Sequence, residues 1–225
     1  IKNNAIVSIT DKKNISNSKR IIKVKNTLKT FSEISSKIRQ ISGLSAIAIT
    51  GSSGKTSFKE MLGKILSKIS STTYSKKSFN NKFGVPLTLF DIKKNNNFGV
   101  FEVGMDKKGE IDKLSKIISP NVGVITNISY AHIKNFKNLN GIAEAKSEII
   151  DHICKNGYIV LNKDDKFYNY FKNKAIKKNL KIISFGKSKK SDISVYKVRK
   201  IKKNLFLKIK FKNNICTFKI NKQSI

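Results

Sequence analysis

The sequence predicts an α/β fold: a mostly parallel sheet with helices on both faces, plus an antiparallel β extension after residue 190. Three observations predict it. Short apolar runs alternate with segments of helical spacing from Leu44 to Phe185, the pattern of repeated β-α units. A glycine-containing turn, Gly51 to Thr56, joins one such run to one such helix. After Ser191 the helical spacing stops, and apolar residues alternate with lysine at period two, as in antiparallel strands with one face in water.

Residues 1–18 are polar apart from Ala5-Ile6-Val7, and Ile21 to Val24 reads as a short strand. Leu28, Phe31, Ile34, Ile38 and Ile41 recur at helical spacing over Thr27 to Ile41, and Gly43 ends that helix. Ala46 to Ile49 is a buried-strand run. The helix after the turn carries Phe58, Met61, Leu62, Ile65, Leu66 and Ile69, read as one face. Strands are predicted at Val100 to Val103, Val122 to Ile125, Tyr158 to Leu161 and Lys181 to Phe185. Helices are predicted at Ile111 to Ile118, Leu139 to Ile153 and Asp164 to Lys174. Ile193-Val195-Val198, Leu205 to Phe211 and Ile215 to Ile220 make the closing meander.

Composition bounds the function. The 225 residues carry a net charge of +33, and all but three of the 47 basic residues are lysine. There are also 34 isoleucines and 24 asparagines. Codons for these three types are built almost wholly from A and T, so the charge reads first as genome composition and second as a nucleic-acid-binding surface. At 39% hydrophobic residues the chain can bury a core, which excludes wholesale disorder. No apolar run approaches the ~18 residues of a membrane span, and no leader pattern opens the chain. Cys154 and Cys216 lie far apart with no metal-ligand spacing, so neither a disulfide framework nor structural zinc is expected. A reduced, cytoplasmic, monomeric protein is expected. The sequence begins at Ile1 rather than Met and stops soon after an apparent strand, so a fragment is expected too.

Gly51-Ser52-Ser53-Gly54-Lys55-Thr56-Ser57 sits between a buried strand and an amphipathic helix, the context a phosphate-binding loop requires. Gly51 and Gly54 let the backbone turn its N–H groups onto phosphate oxygens. The helix N-terminus adds partial positive charge. Lys55 can reach the β- and γ-phosphates of a nucleotide, and the Thr56 or Ser57 hydroxyl can hold Mg²⁺. The general Walker pattern has glycine where this chain has Ile49.

That departure resembles the Mur ligase superfamily, ATP-dependent amide-forming ligases that include the folylpolyglutamate synthases. Four further segments carry the resemblance: Asn80-Asn81-Lys82-Phe83-Gly84-Val85-Pro86-Leu87-Thr88-Leu89; Glu102 to Ile111; Asn127 to His132 with Gly141 to Ile149; and Val160 to Asp165. Their order and spacing resemble the branch that joins D-alanyl-D-alanine to UDP-N-acetylmuramoyl-tripeptide, over about residues 20 to 195. The resemblance implies that residues 1–42 are the tail of an N-terminal UDP-sugar-binding domain. It implies that residues 43–225 are most of a central ATP-binding domain, with the C-terminal ligase domain absent.

It also implies roles. Glu102, at the end of a buried strand where ligands bind in open α/β sheets, would hold Mg²⁺ with Thr56. His132 would hold a second Mg²⁺ near the γ-phosphate. Lys146, fourteen residues after His132, would be carbamylated by CO₂ and become an oxygen ligand, which needs a depressed lysine pKa. Asn80 and Asn81 would line the nucleotide-peptide site, and they read equally well as a helix cap. Asn127 would lie toward the adenine, Thr126 closes the strand, and His152 is structural. Asp106-Lys107 stands where the family has Asn-His, and Val103 where it has Met. The implied reaction is ATP-driven amide synthesis through an acyl phosphate, in peptidoglycan precursor synthesis. The alternatives are a sister ligase with another acceptor and, from a different class, a basic nucleic-acid-binding module; the scattered lysines and absent binding motifs oppose the latter.

Overall fold

The computed structural model describes residues 5–14, 18–75, 77–130, 135–136, 138–201 and 204–221. Two short parallel strands, β1 (Ser8–Thr10) and β2 (Ile21–Lys23), precede helix α1 (Thr27–Ser42). Asn26 caps α1 by accepting from the Lys29 amide at 2.8 Å, and Gly43 ends it at φ +66°. The body then runs β3 (Ser45–Thr50), α2 (Lys55–Ile69), β4 (Thr72–Tyr74), α3 (Gly84–Phe90), β5 (Phe98–Glu102), α4 (Glu110–Ile118), β6 (Val122–Ile125), α5 (Leu139–Asp151), β7 (Tyr158–Asn162), α6 (Tyr168–Lys177) and β8 (Lys181–Gly186). Strands β9 (Ile193–Ile201), β10 (Asn204–Phe211) and β11 (Asn214–Asn221) close the chain.

One nine-stranded sheet takes the order β11-β10-β9-β8-β7-β6-β3-β5-β4. From β4 through β9 every pairing is parallel, and β9-β10-β11 are antiparallel. The predicted extension is therefore a continuation of the main sheet, joined where Phe185 and Gly186 pair with Ile193 and Ser194.

Helices do cover both faces, but unevenly. The larger core packs Ala46, Ala48, Phe101, Ile125, Ile159 and Leu161 of the strands against α3, α4, α5 and α6. Helix α1 lies over α3 and α4 on that side. Its buried Arg39 donates to Ile118 O at 2.8 Å, to Ser119 O at 3.2 Å and to Asn121 Oδ1 at 3.0 Å. Among the described residues, the opposite face carries α2 alone, over Ile49, Val100 and Val124.

Three sequence-based expectations need correction. Only Leu62 and Leu66 of the predicted α2 stripe pack on the sheet, while Phe58, Met61, Ile65 and Ile69 are exposed. The fully inward positions are Lys59 and Gly63, because the Tyr74 ring lies where a Gly63 side chain would begin. Helix α6 starts at Tyr168 rather than Asp164: the Asp164 carboxylate accepts from Lys187 N, and Asp165 accepts from Ile128 N and Phe167 N, holding both residues in a turn. Strand β4 goes beyond the expected elements, because Thr72-Thr73-Tyr74 carries no apolar run. Among the described residues, no helix is long and apolar enough to cross a membrane, and both cysteines are free.

Candidate functional site

The site forms where β3, β5 and β6 end. Strand β3 is buried and leads into Gly51, at φ +146°, and Gly54, at φ +78°. A side chain at Gly51 would begin 1.8 Å from Thr126 Oγ1, so the turn requires glycine there. Loop residues 51–54 are braced from β6: Thr126 Oγ1 donates to Ser53 O at 2.7 Å, and Ser52 N donates to Asn127 O at 2.9 Å. Asn127 Oδ1 accepts from both the amide and the hydroxyl of Ser53, and Asn127 Nδ2 donates back to Ser53 O, each at 3.2 Å. Ser52 Oγ accepts from Ser129 N at 2.9 Å. Asn127, expected toward an adenine, is thus placed against the loop backbone.

Two lysine amines meet one carbonyl. Lys55 Nζ donates to Gly51 O at 2.9 Å and Lys146 Nζ donates to the same oxygen at 3.0 Å. Lys146 is 1% exposed on α5. Burial first, and the neighbouring Lys55 charge second, push its pKa down to about 7. Burial also lowers the Lys55 pKa, against the opposing pull of Glu102.

Glu102, 1% exposed at the end of β5, is held at both oxygens. Thr56 Oγ1 donates to Oε2 at 2.9 Å and Asn80 Nδ2 donates to Oε1 at 2.8 Å. A hydroxyl and a carboxylate side by side are hard oxygen donors. They suit Mg²⁺, which takes one or two protein ligands and completes its shell with phosphate and water. Among the described residues there is no cluster of three or more His, Cys, Asp or Glu that could hold a metal by itself. Ser57 lies on the exposed side of α2.

A cavity of about 520 Å³ opens beside the loop, lined by Lys55, Asn80, Asn81, Lys82, Phe83, Gly104, Met105, Asp106, Glu110, Lys113 and Leu114. Asn81 faces it while its Oδ1 accepts from Phe83 N and Gly84 N at 3.0 Å, an Asx turn leading into α3; the cap position itself is Phe83, without a side-chain cap bond. Ala131 and His132 lie outside the described residues. His152 sits 2.7 Å from Asp112, tying α5 to α4 away from the loop. Sequence reasoning missed Lys59, whose spacing with Gly63 and Leu66 along α2 was the available signal, and Ser75, which has none.

Strand, loop, helix and strand-end carboxylate together define a phosphate-loop α/β protein, with these features gathered at the carboxyl ends of its strands, where open α/β sheets bind ligands. Residues 49–222 match the Mur ligase middle domain, and the chain belongs to that family. It is 39% identical over 170 residues to UDP-N-acetylmuramoyl-tripeptide–D-alanyl-D-alanine ligase of Buchnera aphidicola subsp. Baizongia pistaciae, covering 76% of this chain and 36% of that relative. The structure superposes on MurF of Acinetobacter baumannii with a TM-score of 0.87 at 32% identity, covering 95% of this chain and 46% of that one. It superposes on the MurF ligase of Thermotoga maritima, solved in complex with ADP, with a TM-score of 0.85 at 26% identity, covering 97% and 50%. The chain thus spans half or less of the length of these relatives.

Proposed function

We propose that this chain is the nucleotide-binding core of an ATP-dependent ligase that joins D-alanyl-D-alanine to UDP-N-acetylmuramoyl-tripeptide in peptidoglycan precursor synthesis. The observation that carries the reading is the Thr56–Glu102–Asn80 constellation. It sets a metal-competent carboxylate beside the phosphate loop, and Asn80, which holds that carboxylate, lines the adjoining cavity. Residues 43–225 form the central domain, and residues 1–42 belong to the UDP-sugar-binding one. The protein is cytoplasmic and monomeric, and it has no specific nucleic-acid partner.

The loop amides and the α2 N-terminus would cradle the ATP phosphates. Lys55 would leave Gly51 O for the γ-phosphate. A substrate carboxylate oxygen bonds to the γ-phosphorus as the bond to ADP breaks, giving an acyl phosphate. The amine of D-alanyl-D-alanine then bonds to the acyl carbon, loses a proton, and phosphate departs. Lys55 would oppose the charge gathering on the transferred group. Thr56 and Glu102 would hold Mg²⁺, with His132 and Lys146 serving a second ion, and bound Mg²⁺ supplies charge neutralisation at the phosphates. Asn80 and Asn81, on the cavity wall, would orient the peptide-bearing substrate.

Lys146 is read as the carbamylation site. With its pKa lowered to about 7 the amine is neutral in a large fraction of molecules near neutral pH, and a neutral amine adds CO₂ with release of a proton.

The test is ADP release by the gene's full product, with UDP-muramoyl-tripeptide and D-alanyl-D-alanine each omitted in turn. Release that needs both, and falls by about 10³-fold or more in Lys55→Ala, is expected from the loss of a transition-state cation. Release with a different acceptor alone would move the protein to a sister branch.

A further inference from the structure

Helix α2 buries a second lysine that the proposed mechanism does not use. Lys59 is 0% exposed. Its ammonium donates to Ser75 O and to Lys77 O, each at 2.6 Å, and pairs with Glu60 Oε1 at 2.8 Å. An ammonium has three donors, and all three are engaged, as a charge withdrawn from water requires. Two of the three acceptors are backbone carbonyls of one segment, the turn that leaves β4.

That turn ends at Asn80. Its start is tied to β5, since Ser75 N donates to Val100 O at 3.2 Å and Glu102 N donates to Ser75 Oγ at 3.4 Å. Its far end is tied just beyond β5, where Gly104 N donates to Asn80 O at 2.8 Å. Between these ties, Lys59 holds the turn to α2, one helical turn after Thr56. Both donors to the Glu102 carboxylate therefore trace to α2: Thr56 directly, and Asn80 through the carbonyls that Lys59 gathers.

We propose that Lys59 is a positioning residue for the reaction, setting Asn80 on Glu102 and so fixing how that carboxylate faces the metal–nucleotide. This inference rests on the function proposed above. A lysine rather than an apolar residue is needed because only a multiple donor can gather carbonyls that point inward and away from any strand partner.

The experiment is a double-mutant cycle in the gene's full product with Lys59→Met, Asn80→Ala and the pair. Two readouts are taken: the Mg²⁺ concentration giving half-maximal ADP release, and amide exchange at Gly104 in ligand-free protein. Lys59→Met is expected to raise the Mg²⁺ requirement about 10-fold, the size of effect seen when partners of a metal ligand are removed. It is also expected to speed Gly104 exchange. In the Asn80→Ala background the Mg²⁺ effect of Lys59→Met should vanish, because coupled residues are not additive. Lys59→Gln, which keeps donors on a shorter stem, should recover part of both losses. If Lys59→Met does not fold, Gly104 exchange in Lys59→Gln against wild type decides, faster exchange being expected. Multiplicative effects of Lys59→Met and Asn80→Ala on the Mg²⁺ requirement, or unchanged Gly104 exchange, would overturn the inference. Glu102→Gln separates the two claims: if it leaves the Mg²⁺ requirement unchanged, the metal reading fails, while Gly104 exchange still judges Lys59.

Discussion

The phosphate-loop corner and the β9–β11 meander use the same abundant residue in opposite ways. At the corner, Lys55, Lys59 and Lys146 point inward, each with carbonyl acceptors. In the meander, register puts Lys197, Lys208 and Lys210 with Arg199 and Lys219 on one face, and Leu205, Leu207 and Ile209 with Val198 and Phe218 on the other. The cations there are exposed, and Val198 and Phe218 are about half exposed as well. A lysine in water contributes little beyond solubility and long-range field. A lysine behind a sheet must find acceptors, and in finding them it organises the chain around it. Charge by itself therefore says little about function in a protein with 44 lysines; burial selects the few that matter.

This contrast can be broken at several points. The largest effect is expected at the corner's backbone. Gly51→Ala would add a side chain where Thr126 Oγ1 stands and force alanine to φ +146°. Strain and overpacking together should cost about 3 kcal/mol or more, read as a lower unfolding midpoint and lost nucleotide binding. Retained binding at unchanged stability would show that the loop opens more easily than its bracing suggests.

A middle-sized effect concerns Lys146. Its folded pKa lies near 7, against 10.5 for an ordinary lysine. The amine is therefore protonated below that pH and neutral above it. At fixed dissolved ¹³CO₂, the signal of the carbamate proposed for Lys146 should rise as pH passes upward through about 7. The same signal should need a higher pH in Lys55→Ala, which removes the neighbouring charge. A midpoint that ignores Lys55 would mean burial acts alone.

The smallest effect is expected in the meander. Lys208→Gln removes an exposed charge and should leave stability within about 0.5 kcal/mol and ADP release unchanged. Salt-sensitive binding of the protein to nucleic acid, weakened by Lys208→Gln, would instead give the meander's basic face a role of its own.

Much of the corner was legible because its information is local. A buried run, two glycines, Lys55, Thr56 and an amphipathic segment are contiguous, and contiguity is what periodicity and turn chemistry can read. The strand-end position of Glu102 was legible for the same reason. Asn81 lines the cavity, and its side chain makes the turn before α3 rather than the cap, which falls at Phe83. The α2 stripe was misjudged because its six apolar residues span more of the helix than one sheet can cover. Packing against Tyr74 chose Leu62 and Leu66 and left Phe58, Met61, Ile65 and Ile69 outside. His132 lies outside the described residues, and its role stays with the proposal.

The sequence by itself determined the order of β-α units, the phosphate loop and the change to a meander after Ser191, because each follows from spacing between near neighbours. Only the tertiary structure decided which of the 44 lysines are buried, that Lys55 and Lys146 share one carbonyl, and that Asn80 and Thr56 divide the Glu102 carboxylate between them. Those are contacts between residues up to 95 positions apart, and the physical quantity that selects them, exclusion from water, exists only once the sheet and its helices have packed.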